Sequence, residues 1–227
     1  LPDGPFEVLV QHDPPPLDML LVALSHDHDT RPVAVSVVLR PAFDAEDEAF
    51  QQGLRSGSTI ARPEHAHRVH VQVTGLRSAA QHHYRFRVGD AWSPPGRART
   101  APAADADVAS LRLALASCQH YEQGMYAAHR DIARRDLDAV LFVGDYIYES
   151  SNARYRLRPH EGPVPTTLDG YRARHATYKL DADLRAAHAA HAWILTWDDH
   201  EVENDYAGEH SIRAVGAEAF LRRRFPG

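Results

Sequence analysis

Three segments in the second half of the chain concentrate the side chains that can bind a metal or move a proton. Residues 117–122, 144–149 and 197–206 each follow an apolar run of strand length, and together they offer a thiol, carboxylates, phenols and an imidazole. In open parallel sheets, ligands bind beyond the carboxyl ends of the strands. If the three apolar runs are neighbouring parallel strands, the segments that follow them converge on one metal centre, although no single segment is compelling alone.

Each candidate residue also has an ordinary structural explanation. Free cysteine is among the most buried residue types, so Cys118 taken alone is more simply a small core residue. Residues 144–145 alone fit a strand-end turn, Tyr148 fits packing, and residues 198–199 fit the cap of a helix. Three further polar residues are ambiguous between a metal shell and a solvated loop: Glu201, Asn204 and Asp205. The metal hypothesis therefore depends on the three segments meeting in space.

The elements that must position these segments have the pattern of an α/β domain. The continuous apolar run at 139–143 is typical of a parallel strand that is buried on both faces. Residues 111–116 and 193–196 are two further strand candidates. Helices are predicted at 125–135, 168–178 and 181–192, with a polar loop at 150–165 and a last helix that begins near Ser211. The first strand, the first helix and the central strand form a β-α-β unit.

The first hundred residues instead show short extended segments separated by turn formers. Residues 33–39 are apolar and β-branched, while residues 69–73 and 84–88 alternate between apolar and polar side chains, as half-buried strands do. This pattern resembles a fibronectin type III or immunoglobulin-like β-sandwich. Residues 10–32 are predicted as loop, and the residues from 93 to 105, rich in Pro, Ala and Gly, as a linker. Two domains are therefore predicted, at 1–105 and 106–227.

The composition of the chain excludes several classes of protein. A length of 227 residues with 44% hydrophobic side chains suffices for one large or two small cores, which excludes a disordered chain. No apolar run reaches the roughly 18 residues that a membrane span needs, and a net charge of -6 argues against a nucleic-acid-binding surface. The chain shows no signal peptide, and its single cysteine cannot form an intramolecular disulfide. Most of the sixteen histidines are expected on the surface or on a helix face, including His82, His83, His175, His188 and His191.

Taken together, the motifs resemble those of the PhoD-like alkaline phosphatases, a branch of the calcineurin-like metallophosphoesterases. Residues 144–145 are similar to the second motif of that superfamily and residues 197–201 to the third, while residues 117–119 stand in place of the first motif as in this branch. The resemblance extends from about Gly75 onward. It implies a β + α/β fold: an N-terminal fibronectin/Ig-like β-sandwich followed by a partial metallophosphoesterase α/β domain.

The resemblance also implies a role for each candidate residue. Cys118, Asp145 and Tyr148 would bind Fe³⁺, and Asp145 would bridge to Ca²⁺. Asp199 would be a further metal ligand. Asp198 is more simply the cap of a following helix or a residue that supports the ligands than a ligand itself. The charges agree with this ligand set, because a thiolate, a carboxylate and a phenolate supply three negative charges to a trivalent ion. Calcium prefers oxygen ligands, which carboxylates provide.

The implied reaction is hydrolysis of phosphate esters, both monoesters and diesters. A metal-bound hydroxide would attack phosphorus, and His200 would donate a proton to the leaving oxygen or a hydrogen bond to the phosphoryl group. The substrate would be a phosphate ester, and the family resemblance places the protein in the periplasm or outside the cell. Oligomeric state cannot be inferred from the sequence.

Two features depart from the family pattern. Residues 5–31 do not resemble the opening strands of the family, and the chain stops at Gly227, soon after the third motif, without later strands to supply further ligands. An incomplete, weakly active or inactive fragment is therefore expected, because an under-coordinated centre binds metal weakly. The alternative is a non-enzymatic β-sandwich binding module joined to a degenerate α/β remnant. A zinc hydrolase is disfavoured because the chain has no His-Glu-x-x-His helix.

Overall fold

The structure is a computed structural model that describes residues 19–24, 33–41, 55–65, 67–151, 154, 156–160, 162–211, 218 and 220. The chain divides into two compact units, with the boundary between Ser110 and Leu111. That boundary lies five residues after the one predicted from composition, and the predicted domain ranges, 1–105 and 106–227, stay a prediction.

The described part of the first unit consists of β-strands in two antiparallel sheets. One sheet pairs β1 with β4, and the other has the order β3-β2-β5-β6, with β7 also paired to β5. A single 3₁₀ turn, Pro63–His65, precedes β4. The strands are β1 Met19–Leu24, β2 Val33–Pro41, β3 Arg55–Ala61, β4 Arg68–Val73, β5 Gln81–Val88, β6 Ala91–Trp92 and β7 Gly96–Arg99.

The two sheets of the first unit share one apolar core. Val69, Val71 and Val73 of β4 are buried on alternate positions, as the period of a strand requires. They belong to the same buried cluster as Val35 and Val37 of β2. A shared core between two antiparallel sheets agrees with a sheet-on-sheet arrangement, while the fibronectin or immunoglobulin type of sandwich stays a prediction.

Two segments of the first unit that were predicted as irregular are strands. The prediction of loop at 10–32 is wrong for β1, which pairs with all six residues of β4, although proline and aspartate flank this apolar run. The remainder of 10–32 lies outside the described residues. The predicted linker contains β7, whose Gly96 lies against Tyr84: an added Cβ would stand 2.2 Å from the tyrosine ring. Glycine there allows the strand to pass directly beneath the ring.

The second unit contains the predicted parallel sheet. Its strands have the order β10-β9-β8, and both pairings are parallel. The elements are β8 Leu113–Ala116, α1 Ala127–Arg134, β9 Ala139–Val143, α2 Leu168–Tyr178, α3 Ala182–Ala190 and β10 Ala192–Thr196. The strands predicted at 111–116, 139–143 and 193–196 are therefore neighbours, and their carboxyl ends lie at one edge. None of the described helices is long and apolar enough to cross a membrane.

The parallel sheet is buried on one face. Val140 of β9 packs in one cluster with Ile132 of α1 and Ala187 of α3. On the opposite face, Leu115 and Ile194 are 72% and 63% exposed. The prediction that the central run is buried on both faces is thus wrong within the described residues, because the helices α1 and α3 cover the same side of the sheet.

Side-chain caps fix the starts of two helices that flank the sheet. The side chain of Thr167 accepts a hydrogen bond from the amide of Gly170 at the start of α2, and the side chain of Asp181 accepts one from Leu184 at the start of α3. Of the helix predicted to begin near Ser211, Ser211 itself is not helical and Glu218 and Phe220 are, while residues 212–217 lie outside the described residues.

Candidate metal centre

The turns that follow β8 and β9 are joined by backbone hydrogen bonds. The amide of Cys118 donates to the carbonyl of Gly144 at 3.2 Å, and the amide of Gln119 donates to the carbonyl of Asp145 at 3.1 Å. These bonds continue the contact between the two strands past the point where the sheet ends. They bring the predicted first and second motifs side by side, as the hypothesis of a shared centre requires.

The backbone at these strand ends adopts the left-handed conformation. Cys118 has φ 57° and Asp145 has φ 56°, and Gly144 between the strand and Asp145 has φ 94°. Non-glycine residues pay about 1–2 kcal/mol for this conformation, and such residues cluster at functional sites. Two of the predicted metal ligands therefore occupy strained positions that their surroundings must hold.

Gly144 allows the turn after β10 to approach the turn after β9. A Cβ atom added to Gly144 would stand 2.4 Å from Cβ and 2.8 Å from the backbone nitrogen of Asp198. Glycine is thus required at this position both for its positive φ and for the close approach of the second backbone. Asp198 belongs to the third predicted motif, so all three motifs meet at one edge of the sheet.

Three ligand-type side chains gather at this edge. One ligand atom from each of Asp145, Asp199 and His200 lies within 4.8 Å of the others. Asp145 is buried, while Asp199 and His200 are half-buried. Among the described residues, this group of histidine, cysteine and acidic ligand atoms does not include Cys118, which is exposed. The explanation of Cys118 as a buried core residue is therefore wrong.

Tyr148 lies beside the carboxylate group. Its hydroxyl donates to Oδ2 of Asp145 at 2.9 Å. Burial raises the pKa of Tyr148, and the hydrogen bond to Asp145 raises this pKa further. Asp145, Tyr148 and Asp199 thus lie together, and Cys118 is joined to the same turn through the hydrogen bond from its amide to the carbonyl of Gly144.

One carboxylate oxygen of this group lacks a hydrogen-bond partner in the part of the chain that the structure describes. Oδ1 of Asp145 is buried and makes no hydrogen bond to any described residue. A buried oxygen without a partner costs free energy unless an ion or a water satisfies it. The neighbouring side chains carry carboxylate, thiol and phenol groups, which as anions are the ligands that hard and trivalent cations prefer. The residues present therefore fit a bound cation.

His200 is oriented by a buried glutamate. Its Nδ1 lies 2.8 Å from Oε2 of Glu149, whose side chain is fully buried and also accepts from the amide of Asn204. Burial acts to lower the pKa of His200, but the hydrogen bond to Glu149 and the charges of Glu149, Asp145 and Asp199 prevail and raise it. Conversely, burial opposes ionisation of Glu149, yet the bond to His200 lowers its pKa overall.

Aromatic rings pack on both sides of this arrangement. The ring of Tyr148 lies 3.9 Å, between centroids, from that of His200 and 4.3 Å from that of His120. No role was predicted for His120, whose Nδ1 accepts from the amide of Glu122. The stacking restricts rotation of both Tyr148 and His200, so their polar atoms stay directed at the site.

Glu201, which the sequence left ambiguous, is bonded to the backbone beside the ligands. Its carboxylate accepts hydrogen bonds from the amides of Asp145, Tyr146 and Asp198. The spacing of Asp198 and Glu201 matches a capping box, in which the fourth residue reaches back to the amide of the first. This signal was available in the sequence, whereas the bonds to residues 145 and 146 were not. The segment after Asp198 is a turn in the structure, so the prediction of a helix cap is wrong for the element type.

Arg174 is a second residue that the sequence analysis missed. It is buried in α2, and its Nη1 donates to the carbonyl of Tyr148 at 2.8 Å and to Nδ1 of His160 at 2.7 Å. Its Nη2 donates to the carbonyl of Pro163 at 3.0 Å. The loop that carries Tyr148 and Glu149 is therefore held from the helix side.

Two of the histidines expected on the surface or on a helix face, His82 and His191, are buried instead. His82 is fully buried in β5, and His191 is buried with its Nε2 2.8 Å from the carbonyl of Ile132. His188 lies 2.8 Å, through Nε2, from the hydroxyl of Tyr146, and burial lowers its pKa. An imidazole ring next to a carbonyl or a phenol can be buried at small cost, because one ring nitrogen always carries a donor.

Comparisons with known proteins agree with this geometry. A family model described as PhoD-like phosphatase matches residues 113–225, and a model described as PhoD-like phosphatase, N-terminal domain, matches residues 18–102. The second match shows that the predicted departure from the family at residues 5–31 is wrong from residue 18 onward.

One curated relative and one solved structure are similar over most of the chain. Alkaline phosphatase D of Bacillus subtilis (strain 168) is 45% identical over 185 residues, which cover 79% of this chain and 32% of that protein. A solved structure described as "Structure of PhoD" aligns with a TM-score of 0.84 at 38% identity, over 95% of this chain and 42% of that one. The chain thus spans about a third of the length of the curated relative. With both family models matched in sequence order, the chain belongs to the PhoD-like phosphatase family.

Proposed function

We propose that the three strand ends form the metal-binding edge of a phosphoric ester hydrolase of the alkaline phosphatase and phosphodiesterase type. Cys118, Asp145 and Tyr148 are assigned to Fe³⁺, and Asp145 and Asp199 to Ca²⁺. The observation that carries the proposal is the buried, unpartnered Oδ1 of Asp145 beside Asp199 and His200. A phosphate ester as substrate and export from the cytoplasm belong to the same proposal.

The charges around the site support cation binding. Asp145 and Asp199 bring two carboxylates within 4.8 Å of each other, and Glu149 adds a third acidic group next to His200. Carboxylates so close repel one another unless a cation lies between them. As thiolate and phenolate, Cys118 and Tyr148 would add two further negative charges to the ligands of a bound cation.

The chemistry then divides between cation and protein. A metal pair held by Cys118, Asp145, Tyr148 and Asp199 would supply Lewis-acid chemistry towards phosphoryl oxygens and water. The protein contributes the orientation of His200: with Nδ1 hydrogen-bonded to Glu149, the proton available for the leaving oxygen is the one on Nε2. The raised pKa of His200 favours the protonated ring that this donation needs.

The alternative function, a binding module, would be favoured by an aromatic patch, and the described residues of the first unit do not form one from its three candidate side chains. Of its candidate aromatic residues, Phe86 is buried in the core and Tyr84 packs on Gly96. Trp92 is exposed, but the guanidinium groups of Arg85 and Arg87 lie over its ring. An aromatic patch of the kind that stacks on sugars is therefore not formed by these three side chains.

Metal analysis of single-site variants tests the proposal. Wild-type protein, Cys118→Ala, Asp145→Asn and Asp199→Asn would be dialysed against Fe³⁺ and Ca²⁺ and analysed for bound metal, with the exposed Asp105→Asn as the control. We expect Cys118→Ala to lose iron, Asp199→Asn to lose calcium and Asp145→Asn to lose both, while Asp105→Asn behaves as wild type. Phosphate release from an aryl phosphate, measured on the same samples, should follow the metal content.

The outcome that contradicts the proposal is specific. If Asp145→Asn retains both metals at wild-type stoichiometry, its free oxygen does not hold a cation and the ligand assignment is wrong. If Cys118→Ala retains iron while Asp145→Asn loses it, the cysteine is not a ligand and the iron site is built from other residues.

A further inference from the structure

The carboxylate of Glu201 is bonded to the backbone of two different turns. Its Oε2 accepts from the amide of Asp145 at 3.1 Å and from the amide of Asp198 at 2.9 Å, and its Oε1 accepts from the amide of Tyr146 at 2.5 Å. Asp198 follows β10, whereas Asp145 and Tyr146 follow β9. One half-buried side chain thus joins the ends of two neighbouring strands.

These bonds hold the residue whose backbone is strained. Asp145 has a positive φ, and its amide and the next one along the chain both point at Glu201. Amides next to a left-handed residue form a concave group of donors that suits an anion. The carboxylate of Glu201 accepts hydrogen bonds from these amides. It thereby stabilises the left-handed conformation of Asp145, which is strained and would relax without such support.

The third strand end is connected to the same point. The amides of Cys118 and Gln119 donate to the carbonyls of Gly144 and Asp145, so the turn after β8 rests on the turn that Glu201 holds. Displacement of Asp145 would therefore also displace Cys118. Glu201 acts on ligands from all three strand ends while contributing no atom to the group of ligands.

We infer that Glu201 is a positioning residue that sets the separation of the metal ligands at the three strand ends. The inference rests on the proposed metal centre and deepens it. Glu201 is not a ligand itself, because both of its oxygens face backbone amides and the described ligand cluster comprises Asp145, Asp199 and His200. It is not a solvated loop residue either, since hydrogen bonds from three backbone amides fix its carboxylate.

Two substitutions separate charge from reach. Glu201→Gln keeps the length but replaces one acceptor oxygen by an amide group, whose hydrogens would face a backbone amide. Glu201→Asp keeps the charge but shortens the side chain by one methylene, so its carboxylate cannot span both turns. The exposed Glu209→Gln, in the same loop region, removes an equal charge and is the matched control.

Two measurements on the full chain read out the effect. Hydrogen exchange followed by mass spectrometry reports the amides of Asp145 and Tyr146, and we expect exchange about tenfold faster or more in both Glu201 variants, since each loses charge-assisted hydrogen bonds. Titration with Ca²⁺ and with Fe³⁺, at a temperature where every variant is folded by circular dichroism, reports the metal affinity. We expect a dissociation constant raised about tenfold or more in both variants and unchanged in the control.

The results distinguish failure of this inference from failure of the proposed function. If wild-type protein binds metal and Glu201→Gln binds it equally well, Glu201 does not set the site. Unchanged exchange at residues 145 and 146 also overturns the inference, whatever the metal does. If Glu201→Asp behaves as wild type in both assays, charge alone suffices and positioning is wrong. If wild-type protein binds neither metal, the proposed centre fails and the effect on metal affinity fails with it.

Discussion

Gly144→Ala is the substitution whose cost is most directly determined by the structure. The new methyl group would face two penalties at once. With φ at 94°, an alanine pays about 1–2 kcal/mol for a left-handed backbone. The Cβ atom would also stand 2.4 Å and 2.8 Å from Cβ and the backbone nitrogen of Asp198, which a side-chain rotation cannot relieve. Overpacking against a backbone costs about 1–3 kcal/mol more.

Gly208→Ala separates the two penalties. Gly208 also has a positive φ, of 59°, but an added Cβ meets no atom within 4 Å. It should therefore lose only about 1–2 kcal/mol, whereas Gly144→Ala should lose about 2–5 kcal/mol from the two terms together. Both residues lie in the second unit, so the unfolding transition of that unit is compared in urea for both variants.

The comparison also has a functional side. Because Asp198 must move to accommodate the methyl group, Gly144→Ala should weaken metal binding, and Gly208→Ala should not. Equal free energies of unfolding for the two variants, within about 0.5 kcal/mol, would refute the claim that the turns after β9 and β10 are in close contact.

Two other predictions concern stability away from the ligands. Asp181→Ala removes both the cap of α3 and the 2.6 Å ion pair with Arg158, whose side chains are 9% and 16% exposed, and should cost about 2–4 kcal/mol in urea unfolding; the exposed pair of Asp169 gives a control, since Asp169→Ala should cost below about 1 kcal/mol. His160 has its pKa lowered to about 4 by burial and by Arg174. The folded state therefore favours the neutral form of His160. The contribution of this residue to the free energy of unfolding is fully present above the unfolded pKa of about 6.5 and is lost as the pH falls towards 4, by about 3 kcal/mol in total. His160→Gln should therefore reduce the dependence of the free energy of unfolding on pH in this range. An unchanged slope would show that His160 is not the group responsible.

Much of the second unit could be predicted because its signals are local. Apolar runs marked β8, β9 and β10, and parallel pairing followed from their separation by helices. The placement of Asp145 and Asp199 at one edge then followed from topology alone, since residues after parallel strands share an edge. The family motifs rest on the same short segments, which is why the resemblance and the geometry select the same residues.

The features that were missed depend on contacts between distant parts of the chain. Glu201 bonds to Asp145 and Tyr146, which precede it by 56 and 55 residues, and no local pattern encodes that distance. His82 and His191 are buried because a neighbouring element covers them, although a histidine in a polar stretch suggests the surface. β1 was missed because its partner, β4, begins about forty residues further on and the flanking prolines dominate the local signal.

Location of the bound iron tests the central claim most directly. Crystals of the wild-type chain grown with Fe³⁺ and Ca²⁺ would be measured just above and just below the iron absorption edge, because only iron changes its anomalous signal between the two data sets. The account predicts an iron peak bonded to the carboxylate of Asp145, the thiolate of Cys118 and the phenolate of Tyr148. Iron bound at full occupancy elsewhere, with the Oδ1 atom of Asp145 left without a metal, would contradict it.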